Sequence, residues 1–288
     1  MRSFPVVWLF NLAARLPLSV LHRFGSLLGR ATYRLSGKYA ARLRENLAAV
    51  YSGEEYGGLL RACIAETGKG VAELPWVWLR PMAEVTGSVR ECHGWRHVEA
   101  AVARGKGLIF LTPHLGCFEV SALYAAERMP ITVLYRPPKL AWLEPLLRKG
   151  RERGQVTLAR TDVSGVRALY RALKRGEAIG LLPDQVPGMG EGEWAEFFGR
   201  PAYTMTLVGR LVESTGATAL MAYAERLPSG EGFVIHIAPL EFAPEPSPAA
   251  QMNRALEAAI RACPAQYLWS YNRHKTPAGA ESHERAPA

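Results

Sequence analysis

The stretch His114-Leu115-Gly116-Cys117-Phe118-Glu119 sets an imidazole and a carboxylate with four residues between them. A histidine titrates near neutrality and can take the proton of a hydroxyl. A carboxylate bonded to its far nitrogen would fix the tautomer and stabilise the imidazolium. Such a base contributes about 10² to 10⁴ in rate. No serine or cysteine nucleophile is needed if the substrate brings its own hydroxyl. Each residue alone has a plainer reading: a lone histidine is commonly structural, and a glutamate in a first helical turn complements the helix dipole. Cys117 offers a second chemistry, a thiolate nucleophile at a helix start beside His114. No second histidine or aspartate lies near enough to complete a recognisable ligand set, so neither a metal nor a cofactor is expected.

These residues need a rigid frame. Gly107-Leu108-Ile109-Phe110-Leu111-Thr112 reads as a buried strand stopped by Pro113, and a helical run begins after Gly116. His114 is therefore expected on the loop between strand and helix, with Glu119 in the first helical turn. Further apolar runs predict strands at Ile131 to Arg136, Val156 to Leu158, Ala178 to Leu182, Ala217 to Ala222 and Phe233 to Ile237. Helical patterns fall between them, near 117–127, 140–153, 163–175 and 203–215, with a last one near 249–262. The alternation predicts an α/β fold with a mainly parallel central sheet flanked by helices. Residues 38–80 read as helical, and Pro183 to Pro201 as one long glycine-rich loop carrying Trp194, Phe197 and Phe198, which could line a channel or anchor the loop.

The chain has 288 residues and a formal net charge of +9, but the charge is local. Residues 1–44 hold eight basic residues and no acid; removing them from the total of 35 leaves 27 against 26 acids. Asn11, Arg15, Ser19, Arg23, Ser26, Arg30 and Arg34 would line one side of a continuous helix with an apolar side opposite. That mixture fits a membrane surface better than a nucleic acid, which would call for aromatic platforms or a recognition motif. Phe4 to Leu21, about 27 Å as a helix, is just short of a hydrocarbon core about 30 Å thick. Arg15 and Pro17 count against a span. A core-packing helix with a solvated basic face is the plain alternative, and no small-residue cleavage site marks a secretory signal. The expected organisation is a membrane-associating segment at 1–37, one domain at 38–275 and a disordered tail at 276–288. Cys63, Cys92, Cys117 and Cys263 lack paired spacing, so reduced buried thiols and a cytosolic face are expected.

Thr112-Pro113-His114-Leu115-Gly116-Cys117-Phe118-Glu119 resembles the His-x4-Asp/Glu motif of glycerolipid acyltransferases, and its surroundings resemble the lipid A biosynthesis acyltransferase family. Three further stretches agree in order: Tyr135-Arg136-Pro137-Pro138, Pro183-Asp184-Gln185 leading to Phe197-Phe198-Gly199-Arg200-Pro201-Ala202, and Tyr267 to Lys275. The chain departs from many relatives at Cys117-Phe118, where Asn-Trp is common, and at Tyr271, where others carry histidine. The resemblance implies acyl transfer from an acyl carrier protein or coenzyme A thioester to a hydroxyl of a lipid A precursor, at the cytoplasmic face of the inner membrane. It makes His114 the base and Glu119 its orienting partner. Arg136, at the C-terminal end of a predicted strand, becomes a candidate phosphate contact. Arg151 and Arg153 form a second basic candidate, with a solvated helix end as the alternative. Asp184 and Gln185 are expected to shape the acceptor site or simply the turn. Another glycolipid or a lysophospholipid as acceptor, hydrolysis of the donor, and a catalytically silent lipid-binding protein on the same fold are the rival readings.

Overall fold

Short runs of β-branched and aromatic residues between glycine and proline breakers pack well on a pleated surface, and here they build the centre of the molecule. In the computed structural model, which describes residues 4–138 and 140–279, the strands are β1 (Val89–His93), β2 (Leu108–Leu111), β3 (Ile131–Tyr135), β4 (Val156–Arg160), β5 (Ala178–Leu181), β6 (Gly192–Phe197), β7 (Arg200–Met205), β8 (Thr218–Arg226) and β9 (Phe233–Leu240). Seven of them form one sheet in the order β1-β9-β8-β2-β5-β3-β4. Every pairing in it is parallel except that of β8 with β9. The central strands β2 and β5 are buried at every residue, as strands covered on both faces must be.

The helices are α1 (Phe4–Ala13), α2 (Leu18–Leu35), α3 (Gly37–Ala48), α4 (Glu54–Ala72), α5 (Leu74–Leu79), α6 (Met82–Thr86), α7 (Trp95–Arg104), α8 (Phe118–Ala126), α9 (Glu144–Arg151), α10 (Val163–Lys174), α11 (Leu207–Thr215) and α12 (Pro248–Ala262). Alternate strand residues point into two cores. One face, with Ile109, Leu111, Ile179 and Leu181, packs against α3, α4, α10, α11 and α12. The other, with Leu108, Phe110 and Ala178, packs against α1, the start of α2, α5, α7, α8 and α9. Caps explain several starts: Asp162 accepts from the Gly165 amide at α10, and Ser247 precedes Pro248 at α12.

Two elements depart from the sequence reading. β1, Val89-Arg90-Glu91-Cys92-His93, is a largely polar strand at the sheet edge and pairs only with β9. The expected loop from Pro183 to Pro201 ends instead in a hairpin, with β6 antiparallel to β7. Its turn has positive φ at both Phe198 and Gly199. Phe197 and Phe198 are buried in the core and anchor this hairpin.

The basic N-terminal segment is also different in detail. Pro17, which cannot donate a main-chain N–H, interrupts the helix, so the basic positions do not share one continuous side. The face of α2 that packs inward is Leu18, Leu21, His22, Gly25 and Gly29, while Trp8, Leu9, Leu12, Phe24 and Leu27 are exposed among Arg15, Arg23 and Arg30. Among the described residues no helix is long and apolar enough to cross a membrane. Residues 280–288 of the expected tail lie outside the described residues.

α2 crosses α4 with backbone against backbone. A Cβ on Gly68 would lie 2.0 Å from the Gly25 carbonyl oxygen, and one on Gly29 would lie 2.2 Å from that of Ile64. Gly68→Ala must therefore push the two helices apart, at a cost of about 1 to 3 kcal/mol. Urea unfolding should show a lower midpoint at unchanged slope.

Candidate active site

β2 and β5 are parallel neighbours in which Leu111 pairs with Leu181. Each is followed after one residue by proline, and then by His114 in one case and Asp184 in the other. The pairing continues past the sheet through the Thr112 amide, which donates to the Leu181 carbonyl at 2.9 Å. His114 and Asp184 thus leave adjacent strand ends in step, at the C-terminal edge where open α/β sheets bind ligands.

The Asp184 carboxylate is buried and accepts twice from His114, through Oδ1 from the ring Nδ1 and through Oδ2 from the main-chain N–H, both at 2.9 Å. With the Nδ1 proton held there, Nε2 carries the lone pair, and the Gln185 amide approaches it at 3.3 Å. Burial pushes the His114 pKa down. The charge and hydrogen bond of Asp184 outweigh that effect and hold it above the ordinary value of 6.5. For Asp184 burial pushes upward and the His114 imidazolium downward, with the net shift below the ordinary carboxylate value.

The orienting carboxylate in this geometry is Asp184, whereas four-residue spacing had pointed to Glu119. Glu119 instead faces Arg151, whose Nε lies 3.0 and 2.9 Å from its two carboxylate oxygens and whose Nη2 donates to Oε1 as well. The physical reason lies in the turn. Gly116 has φ +62°, and a Cβ there would sit 2.0 Å from the Ala224 carbonyl oxygen. Its amide donates to the Gln266 carbonyl and that of Cys117 to Ala224. The loop is thereby sewn to β8 and swings α8 onto the face of the sheet that carries α9 and Arg151.

The remaining candidates separate into cleft and scaffold. A cleft of ≈ 700 Å³ opens at His114, lined also by Phe118, Arg136, Arg151, Leu182 and Gln185. Arg136 is exposed and has no hydrogen bond or ion pair among the described residues. Arg153 is not in this lining: its Nε donates to the Gly150 carbonyl at 2.7 Å, Nη1 to that of Arg80 at 2.6 Å, and Nη2 to that of Val77. A narrow, mostly apolar slot adjoins the cleft, sharing Phe118, Arg151, Leu181 and Leu182 with it and running between the sheet and α8 past Ala122, Val133 and Ile235.

Cys117 is buried in the second core. Burial, and then the charge of Glu73, push its thiol well above the ordinary value, which removes the nucleophile reading. No group of three or more His, Cys, Asp or Glu that could hold a metal occurs among the described residues. The Tyr267 to Lys275 stretch proves to be a brace. The Leu268 amide donates to the His114 carbonyl, the Tyr271 hydroxyl accepts from the Val186 amide, and Arg273 binds the Tyr203 carbonyl.

The model of the bacterial lipid A biosynthesis acyltransferase family matches residues 2–276. Among curated proteins the chain is 28% identical over 290 residues to the lipid A biosynthesis lauroyltransferase of Escherichia coli strain K12, covering 96% of this chain and 92% of the relative. It is 27% identical to the lipid A biosynthesis palmitoleoyltransferase of the same organism, covering 96% and 91%. A Haemophilus influenzae lipid A biosynthesis acyltransferase matches at 25% over 61% of this chain and 56% of the relative. With its histidine held at the mouth of a cleft and a family match that runs almost from end to end, the chain belongs to the bacterial lipid A biosynthesis acyltransferases.

Proposed function

We propose that this protein transfers a fatty acyl group from the thioester of an acyl carrier protein to a hydroxyl of a lipid A precursor, at the cytoplasmic face of the inner membrane. The observation that carries the reading is the Asp184–His114 pair, which directs an unprotonated Nε2 into a cleft with apolar walls and a basic rim. Nε2 removes the acceptor's hydroxyl proton as the oxygen attacks the thioester carbonyl. The tetrahedral intermediate collapses with cleavage of the C–S bond, and the imidazolium returns its proton to the departing sulfur. Asp184 stabilises that imidazolium. The Gln185 amide holds the lone pair until the hydroxyl displaces it.

Glu119 acts through Arg151, fixing a guanidinium at the border of cleft and slot. Arg151 and the amides of Phe118 and Glu119, which have no hydrogen-bond partner among the described residues, are the donors available to the developing oxyanion. Arg136, exposed at the cleft and without an ion pair among the described residues, is a cation for an acceptor phosphate. The slot beside α8 suits the acyl chain. Ala122→Phe should block it, lowering kcat/KM for donors that no longer fit by about tenfold for every two excluded methylenes; a series of donors of increasing chain length measures this. Exposed Trp8, Leu9, Leu12, Phe24 and Leu27 beside three arginines favour docking on an anionic leaflet, each cation adding about 1 kcal/mol.

The test is to incubate the protein with acyl carrier protein bearing a radiolabelled acyl chain and, separately, a lipid A precursor, a lysophospholipid and a second glycolipid. Label appearing in the lipid A precursor is expected. Preferential labelling of another acceptor, or donor hydrolysis that no acceptor redirects, would overturn the reading.

A further inference from the structure

α10 presents a row of side chains at helical spacing, Val163, Arg167, Tyr170, Arg171 and Lys174, and carries no acidic residue. The row spans about 16 Å. Between it and α11 lies an open groove whose walls include Arg167, Tyr170, Arg171 and, from α11, Arg210. The groove is continuous with the cleft at His114, because Val166, Arg167, Leu207 and Arg210 line both. Arg167, Arg171 and Arg210 are exposed, and none of their guanidinium groups has a hydrogen bond or ion pair among the described residues. Among the described residues the Lys174 ammonium meets the Ser214 carbonyl, at 3.2 Å, and the Tyr170 ring. The single acid on α11 is Glu213.

We infer that this groove docks the acidic surface of the acyl carrier protein and delivers its thioester to the cleft at His114. The inference rests on the donor proposed above and assigns that donor a place on the molecule. Like charges set along one helix repel one another, and an acidic helix laid in the groove relieves this while steering the encounter. Apolar Val163, 69% exposed, and Tyr170, 39% exposed, give such a helix something to pack on. A row of charges this long matches a protein surface better than the compact phosphate group of a nucleotide thioester. A lipid bilayer fits less well too: α10 and α11 pack on one face of the sheet, whereas α1 and the start of α2, with the exposed apolar side chains, pack on the other.

Arg171 and Lys174 lie outside the cleft, so reversing them separates docking from chemistry. The full-length Arg171→Glu/Lys174→Glu variant is assayed beside the unaltered protein, with acylated carrier protein and lipid acceptor each varied in turn, and its melting temperature is recorded. The expected result is an unchanged melting temperature, a KM for the carrier raised about tenfold or more at low salt, and unchanged acceptor KM and saturated kcat. The difference should shrink in about 0.5 M salt. An unchanged carrier KM, or a rise confined to the acceptor KM, overturns the docking site while leaving the donor assignment intact. Failure of the unaltered protein to use the carrier thioester at all overturns the donor assignment, and the docking site with it.

Discussion

Asp184→Asn is expected to lower kcat by about 10²- to 10⁴-fold without unfolding the protein. The carboxylate holds a proton on Nδ1 of His114 and leaves the lone pair on Nε2. An asparagine that keeps its oxygen on the His114 main-chain amide turns its NH2 toward Nδ1. The ring proton then moves to Nε2, and no lone pair faces the hydroxyl. The charge of Asp184 also holds the His114 pKa above 6.5 against the opposing effect of burial. Because the base proposed at His114 works unprotonated, the unaltered enzyme should lose kcat/KM as pH falls through that raised value. In the variant this acidic limb should move to lower pH, since the charge that favoured the imidazolium is gone. A pH–rate profile of both proteins checks the two effects together.

Arg226→Met should cost about 3 to 5 kcal/mol, the effect expected when one partner of a buried ion pair is removed. Arg226 is almost wholly buried and donates from Nε to Glu73 at 2.7 Å, from Nη1 to Glu66 at 2.8 Å, and from Nη2 to Glu73 again. Its loss leaves the buried Glu73 carboxylate with only neutral or titratable neighbours, the His22 ring 2.9 Å away on α2 and the Cys117 thiol, among the described residues. That network ties α2 and α4 to β8, and the neighbouring Ala224 carbonyl on β8 holds the turn that carries His114 through Cys117. Burial pushes Glu73 upward, but the charge and hydrogen bonds of Arg226, with those of His22, bring its pKa to about 2. A carboxylate depressed in this way stabilises the fold fully above its unfolded value near 4.5 and loses the contribution as pH falls toward 2. Denaturant titrations from neutral to acid pH should show that decline in the unaltered protein. They should show a weaker decline in Glu73→Gln/Arg226→Met, which should also recover part of the single variant's loss.

The sheet was readable because its central strands are apolar on both faces and end in breakers, as in Leu108 to Pro113 and Ala178 to Pro183. β1 escaped because an edge strand needs little apolar surface, and Arg90, Glu91 and His93 look like loop residues. The β6–β7 hairpin escaped because its turn places Phe198 at positive φ, where sequence rules look for glycine or asparagine. At the site, His114 and the family were legible from local motifs. The identity of its carboxylate was not, because Asp184 is 70 residues away and meets His114 only through the register of β2 on β5. One signal was present all the same: both strands run into a proline followed by a polar residue, Pro113-His114 and Pro183-Asp184. Two strand ends punctuated alike in a parallel sheet are candidates for a shared edge. Arg153 illustrates the opposite limit, since an arginine in a basic helix end reads the same whether it meets a phosphate or, as here, three main-chain carbonyls.

The central claim, base-catalysed acylation of a lipid A precursor by His114, is tested most directly by mass spectrometry of lipid A. The host is one lacking this chain, supplied with either the unaltered protein or His114→Ala at matched abundance. The unaltered protein should add a species heavier by one fatty acyl group, and His114→Ala should leave that species absent. Equal amounts of the heavier species from both proteins, or none from the unaltered one, would contradict the account.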